Sequence, residues 1–273
     1  MERWQENGSR GLAGVNKLNF SGLRVLVTGG AGGIGAVICR RLHAMGAEVI
    51  VHYNNSKNRA EELSTELNCH AIQADLTEKK GAGSLFSSID SLIGGVDCCV
   101  ANAGKYPSES LPAWEINDER LVETIDTNLK IAFFTSQEFL RRAVSRGSGS
   151  LVLVGSTAGI YGERGHADYA SAKGAITSGL LMTLKNDVAG TAVRVNAVAP
   201  GWTLTESKIN EGIDQFTSEN ALKTMSMKKL ATPEDVASSV SFLLSDEHSG
   251  HISGQVLEVS GGMEGRVIPR FGE

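Results

Sequence analysis

Tyr169-Ala170-Ser171-Ala172-Lys173 places a phenol and an ammonium four residues apart, a spacing that sets both on one face of a helix. A cation beside a phenol favours the phenolate and lowers its pKa from an ordinary value near 10 toward the range of a general acid or base. Such a pair can move a proton to or from a carbonyl oxygen. Tyr-x-x-x-Lys also arises by chance as a surface pair, so its company decides. Ser156, in Val154-Gly155-Ser156-Thr157-Ala158-Gly159, precedes Tyr169 by thirteen residues, so a strand end and a helix start can face one crevice. Its hydroxyl could donate to an oxyanion developing beside the tyrosine, or serve only as a turn residue. Asn128, in Asp126-Thr127-Asn128-Leu129, falls inside a long helical stretch, where a buried amide is costly without a partner. A water held by Lys173 would satisfy its carbonyl and complete a proton path; a helix kink or cap is the plainer reading.

A second constellation concerns phosphate. Thr28-Gly29-Gly30-Ala31-Gly32-Gly33-Ile34-Gly35 joins a β-branched run to an amphipathic one. Glycines there let a pyrophosphate approach the backbone, and the helix start supplies free N–H groups and a positive dipole end. A tight turn explains one or two of these five glycines, not all. Asn102, Ala103 and Gly104 follow another strand and would lie beside the glycine loop if the sheet order reverses between the first and fourth strands. Asp75, with Leu76 beside it, could touch an adenine edge or cap the next helix, since Asp75-Leu76-Thr77-Glu78 is cap-like.

These residues need elements to hold them. Strand-like runs fall at 24–28, 48–53, 70–74, 97–101, 150–155, 192–197 and 256–259, and helical periodicity at 34–45, 57–67, 78–93, 118–145, 167–189 and 233–245. That alternation predicts an α/β fold, a parallel sheet covered by helices on both faces. No linker divides the chain, so a single domain is expected over 20–273, after a flexible N-terminal tail at 1–19 and ending in a C-terminal tail at 263–273. Residues 203–230 break the rhythm, and a connection of that length beside a site is usually a substrate lid.

Bulk properties exclude several classes. At 41% hydrophobic over 273 residues the chain can bury a continuous core. A net charge of −5 without a basic run argues against nucleic acid and against an anionic membrane surface, and no apolar stretch reaches the ~20 residues of a membrane span. Cys39, Cys69, Cys98 and Cys99 lack metal-ligand spacing, so no metal site is expected, and they read as reduced, mostly buried thiols in a cytoplasmic setting.

Taken in order, TGGAGGIG, NAG, TNL with Asn128, GST with Ser156, YASAK, and Ala199-Pro200-Gly201 followed by Trp202-Thr203 resemble the short-chain dehydrogenase/reductase family over residues 20–262. The likeness is to its compact, 3-oxoacyl-carrier-protein-reductase-like branch. The resemblance implies a Rossmann-like doubly wound sheet of seven strands. It also implies Tyr169 as proton donor, Lys173 on the nicotinamide ribose, Ser156 positioning substrate and Asn128 holding the relay water. The backbone after Pro200-Gly201 and Trp202 would meet the nicotinamide amide, with Thr203 a hydroxyl contact. His52-Tyr53-Asn54-Asn55-Ser56-Lys57 carries no carboxylate to bind the two ribose hydroxyls and repel a 2′-phosphate, so NADP(H) is expected, with NAD(H) possible and His52, Asn55 and Ser56 as contacts. Gly32 departs from relatives that put a basic residue in the loop.

Tyr161, Gly162, Trp202 and the lid suggest a partly apolar pocket for a ketone, 3-oxoacyl or polyketide-like carbonyl. A sugar, polyol or alcohol dehydrogenase is the alternative, and a silent dinucleotide binder a third. Apolar residues beyond one stripe on 118–145 and 167–189 predict a homodimer or homotetramer.

Overall fold

Strands rich in valine and isoleucine on both faces need cover on both sides, and here seven of them share one sheet. They are β1 (Arg24–Val27), β2 (Glu48–Tyr53), β3 (His70–Gln73), β4 (Cys98–Ala101), β5 (Ser148–Val154), β6 (Ala192–Pro200) and β7 (Val256–Val259). All pair in parallel, in the order β3-β2-β1-β4-β5-β6-β7. The computed structural model describes residues 18–263 except 211, 213 and 214. Most of both expected tails, 1–17 and 264–273, lies outside the described residues.

Register aligns one layer across the sheet. Leu26 sits beside Ile50 and Cys99, and Cys99 beside Leu151. These side chains face one core with Leu85, Phe86, Ile89 and Phe139. Their neighbours Val25, Val27, Val49, Val51, Val100 and Val152 face the other, with Ile38, Leu42, Leu63 and Val240. Period two thus feeds two cores at once, each fully buried aliphatic side chain contributing about 1.5–3 kcal/mol.

The helices are α1 (Gly33–Ala44), α2 (Lys57–Leu67), α3 (Lys79–Ile93), α4 (Asp118–Ile125), α5 (Ile131–Arg146), α6 (Ala158–Tyr161), α7 (Ala167–Ala175), α8 (Leu181–Asp187), α9 (Glu206–Asn210), α10 (Gln215–Lys223), α11 (Pro233–Leu244) and α12 (Asp246–Ser249). Helix α11 starts where the sequence says it must: Thr232 and Asp235 form a reciprocal capping box, with proline in the first turn. The two long helices expected at 118–145 and 167–189 are each broken by a π-helical turn, Asp126–Lys130 and Ile176–Leu180. Each break is a single turn with α-helix on both sides, so the helical stretch reads as continuous in the sequence.

Strand β6 runs to Pro200, past the expected end at 197, because Ala199 and Pro200 still pair with Glu258 and Val259. Segment 203–230 is pinned at its base. A bridge joins Thr203 to Ala231, the Leu204 N–H donates to the Ala231 carbonyl at 2.9 Å, and the Met227 N–H donates to the Gly261 carbonyl at 2.9 Å. Among the described residues no helix is long and apolar enough to cross a membrane.

Candidate active site

The strand order reverses between β1 and β4, and the crevice at such a switch point lies beyond the strands' C-terminal ends. Every motif singled out above follows one of those ends. After β1 the chain turns through Gly29 at φ 62° and enters α1, whose first turn has neither a side-chain cap nor an acidic residue. Its N–H groups are thus presented to the crevice with the positive end of the helix dipole.

The glycines divide by what surrounds them. A Cβ on Gly35 would lie 2.2 Å from the Gly29 carbonyl oxygen, and one on Gly29 would lie 2.9 Å from Ala103 Cα, so these two serve the turn itself. A Cβ on Gly32 would meet only the Gly29 carbonyl oxygen, at 3.3 Å, and one on Gly33 would meet Thr205 of the 203–230 segment, at 3.1 Å. A loop closed to side chains, opening on an uncapped helix start, fits a pyrophosphate. Ile34 stands in that first turn.

Thr28 and Asn102 clasp the two loops. Thr28 is fully buried, its hydroxyl accepts from the N–H groups of Asn102 (3.0 Å) and Ala103 (3.1 Å), and Asn102 Nδ2 donates to the Thr28 carbonyl at 2.9 Å. The Thr28 side chain therefore braces the two loops that border the crevice.

His52 needs a correction. It is 2% exposed, its Nδ1 accepts from the Gly29 N–H at 3.1 Å, and its Nε2 faces the Ala74 carbonyl at 3.1 Å. Burial pushes its pKa down to about 4, against smaller opposing effects of the Ala74 carbonyl and Asp75. A neutral imidazole with both nitrogens engaged braces the glycine loop and cannot reach a 2′-phosphate. Asn55 and Ser56, in contrast, are exposed, and Ser56 heads α2 without spending its hydroxyl on a cap. Asp75 accepts from the N–H and hydroxyl of Thr77 in a local turn ahead of α3, whose start at Lys79 has no side-chain cap, and Leu76 is buried in the core so that only its backbone is offered.

On the other side of the crevice, Tyr169 and Lys173 share one face of α7. Lys173 is 4% exposed, donates to the Val154 carbonyl at 3.0 Å, and holds its ammonium 5.7 Å from the Tyr169 ring centroid. Ser156, just past β5, stands near enough to the Tyr169 hydroxyl to favour its ionised form, while its own oxygen accepts from the Ala158 N–H at 3.2 Å. Burial pushes Tyr169 up to about 12; the Ser156 hydroxyl lessens that rise and the Glu163 carboxylate adds to it. Burial pushes Lys173 down to about 8. Burial is thus the largest influence on the phenol, and it acts in the direction opposite to the lowering expected from a neighbouring cation.

Asn128 sits at the centre of the first π-helical turn, fully buried. Its Nδ2 donates to the carbonyls of Lys105 (2.9 Å) and Thr124 (3.0 Å), while its Oδ1 has no partner among the described residues. A Cβ placed on Gly104 would lie 2.8 Å from that Oδ1 and 3.3 Å from Lys173 Nζ. The orphaned acceptor and the ammonium therefore face one small space beside Gly104.

Gly201 follows β6, its N–H held by Val259 at 3.0 Å, and the Thr203 hydroxyl donates to the Gly201 carbonyl at 3.0 Å. Trp202 is half-buried, with Lys208 Nζ 5.1 Å from its ring centroid. Tyr161 bonds Glu258 at 2.9 Å, and Gly162 adopts φ 77°.

Several neighbours escaped the sequence reading. Asp168 is wedged between Arg120 Nε (2.9 Å) and the Thr124 hydroxyl (3.0 Å), which locks α7 to α4 one residue before Tyr169. Burial alone would raise the Asp168 carboxyl, but Arg120, the Tyr169 N–H and Thr124 together hold it below the usual range. Tyr106 stacks on His166 and meets Tyr169 edge-on. Adjacency of Asp168 to the tyrosine was the only available signal; Tyr106 lies in an irregular loop without one.

The family model described as enoyl-(acyl carrier protein) reductase matches residues 29–264. A 3-oxoacyl-[acyl-carrier-protein] reductase from Rickettsia typhi is 33% identical over 247 residues, covering 90% of this chain and 98% of the relative. The enzyme of that name from Escherichia coli is 33% identical over 248 residues, with 90% and 99% covered. Among solved structures, a short-chain type dehydrogenase/reductase from Mycobacterium ulcerans matches with a TM-score of 0.85 at 26% identity, covering 93% of this chain and 94% of that one.

Proposed function

We propose, from the premise that the chain belongs to the short-chain dehydrogenase/reductase family and is an NAD(P)-dependent oxidoreductase of carbonyl and CH–OH groups, that it reduces a ketone of the 3-oxoacyl or polyketide-like kind to a secondary alcohol with NADPH. The observation that carries this reading is the convergence of the Ser156 hydroxyl, the Tyr169 phenol and the Lys173 ammonium on one crevice, beside the orphaned Oδ1 of Asn128.

A dinucleotide, when bound, would supply the hydride. The glycine loop and the start of α1 would hold its pyrophosphate, Asn102 to Gly104 would border the adenosine half, and Lys173 and the backbone from Pro200 to Thr203 would bind the nicotinamide end. Asn55 and Ser56 take the 2′-phosphate, since no carboxylate stands at the end of β2 to repel it. Ser156 orients the substrate oxygen. Tyr169, its proton held firmly by burial, gives it up as the alkoxide develops and draws it across. A water between Lys173 and Asn128 Oδ1 restores that proton. The chain works in the cytoplasm as a homodimer or homotetramer, which the apolar surface of Phe133 and Met182 supports; both are exposed by more than 40%.

A panel of ketones, 3-oxoacyl thioesters, sugars and polyols, with NADPH depletion or formation followed by absorbance, tests the assignment. Ketone reduction is expected, faster with NADPH than with NADH. Turnover of polyols alone would establish the oxidative dehydrogenase instead. Tyr169→Phe should cut kcat by at least about 10²-fold while leaving NADPH affinity near wild type; unchanged turnover would remove Tyr169 from the role of acid.

A further inference from the structure

We infer that Tyr106 is a positioning residue: its ring fixes the orientation of Tyr169 and forms a rigid rim that Lys208 of α9 meets, an inference that rests on the carbonyl-reductase reading. Tyr106 belongs to the loop after β4, which has no regular structure to hold a side chain still. Its ring is nevertheless held on three sides. It stacks on His166, with centroids 4.7 Å apart and planes at 25°. It meets Tyr169 edge-to-face, with centroids 5.0 Å apart and planes at 80°. Its hydroxyl donates to Glu163 Oε1 at 2.7 Å.

His166 in turn is anchored. It is 6% exposed, and Nε2 and Nδ1 lie 3.2 and 3.3 Å from the carbonyl oxygens of Pro107 and Arg164. The tyrosine is thus set on a fixed support, yet 45% of it remains exposed. A ring so constrained and so poorly buried does little for the core. Across the crevice mouth, Lys208 of α9 brings its ammonium within 5.9 Å of the Tyr106 centroid and 5.1 Å of the Trp202 centroid. Both distances fall in the range of cation–π attraction. One cation thereby links the segment to both rims, and Tyr106 is the rim that touches the proton donor.

A phenol free to tilt spends less time aligned with the substrate oxygen, and misplacement of about 1 Å can cost up to 10²-fold in rate. Tyr106→Leu should therefore lower kcat about tenfold in the full chain, with NADPH affinity by fluorescence titration unchanged. Tyr106→Phe keeps the stack and the edge contact and should stay within about twofold of wild type. Lys208→Met should raise KM for the carbonyl substrate and leave kcat alone.

An activity-independent readout comes from the chain's four tyrosines. With Cζ-13C-labelled tyrosine, and Tyr169 assigned by its loss in Tyr169→Phe, the Tyr169 resonance should move in Tyr106→Leu and hold in Tyr106→Phe. The inference is overturned if Tyr106→Leu leaves kcat and that resonance in place, if Phe is as damaging as Leu, or if Leu also abolishes NADPH binding. Wild-type inactivity on every carbonyl would sink the reductase reading instead, and the resonance would still decide the role of Tyr106.

Discussion

Replacing Lys173 with methionine should make this protein more stable and inactive at once. The ammonium is 4% exposed, and its hydrogen bond goes to one carbonyl, that of Val154. Burial lowers its pKa from 10.5 to about 8. Between those values the unfolded chain binds a proton that the folded chain has lost, so stability rises with pH across the window and the full penalty is present below it. At neutral pH that penalty is about 3 kcal/mol. Methionine keeps the length, removes the charge and forfeits one hydrogen bond worth about 1 kcal/mol, for a net gain of about 2 kcal/mol. For a chain of this size the gain corresponds to a rise in Tm of roughly 4–8 °C. The assay is thermal unfolding of both proteins without added dinucleotide at pH 7 and pH 9.5. The advantage should shrink by more than half at the higher pH, where the folded wild type has shed the proton. A variant less stable than wild type at pH 7, or a difference in Tm that ignores pH, would refute the reasoning.

The glycine loop and the end of β2 give two further tests. Gly35→Ala drives a Cβ to 2.2 Å from a backbone oxygen, so it should lower stability by about 2 kcal/mol and weaken NADPH binding at least tenfold, whereas Gly32→Ala, whose Cβ meets one atom at 3.3 Å, should melt within about 2 °C of wild type. Equal melting of the two would show that neither glycine is held by the contacts described. His52→Leu strips partners from the Gly29 N–H and the Ala74 carbonyl and should cost about 2 kcal/mol without changing the ratio of NADPH to NADH turnover; Ser56→Asp should do the reverse, cutting kcat/KM with NADPH at least tenfold at unchanged Tm. Rates with both cofactors and melting curves on the four variants separate these outcomes.

How far the residues announced the site depends on which physical signal each leaves in a linear sequence. Lys173 and Tyr169 were legible because a helix converts a spacing of four into a shared face, and the strand-end motifs were legible because a parallel sheet delivers all its C-terminal ends to one side. His52 was misplaced although its signal was present. It stands in β2, a strand with sheet neighbours on both sides, so burial continues through position 52 and ends only at 54 to 56. Residue type alone does not separate the last position still paired in the sheet from those that have left it.

The Tyr169 phenol depends on a different kind of signal. Proximity to a cation is visible in sequence, but burial in the packed crevice and the nearness of the Glu163 carboxylate are not, and both push the phenol up. A phenol is protonated throughout the neutral range, the form a reduction needs, and the Ser156 hydroxyl beside it works against the rise. Asn128 completes the logic. The π-helical turn that carries it is not announced by the residue types around it, yet it turns an unpaired amide oxygen toward the space that Lys173 shares. Helix regularity is broken here and again at Ile176–Leu180, and breaks of this kind are frequent at functional sites.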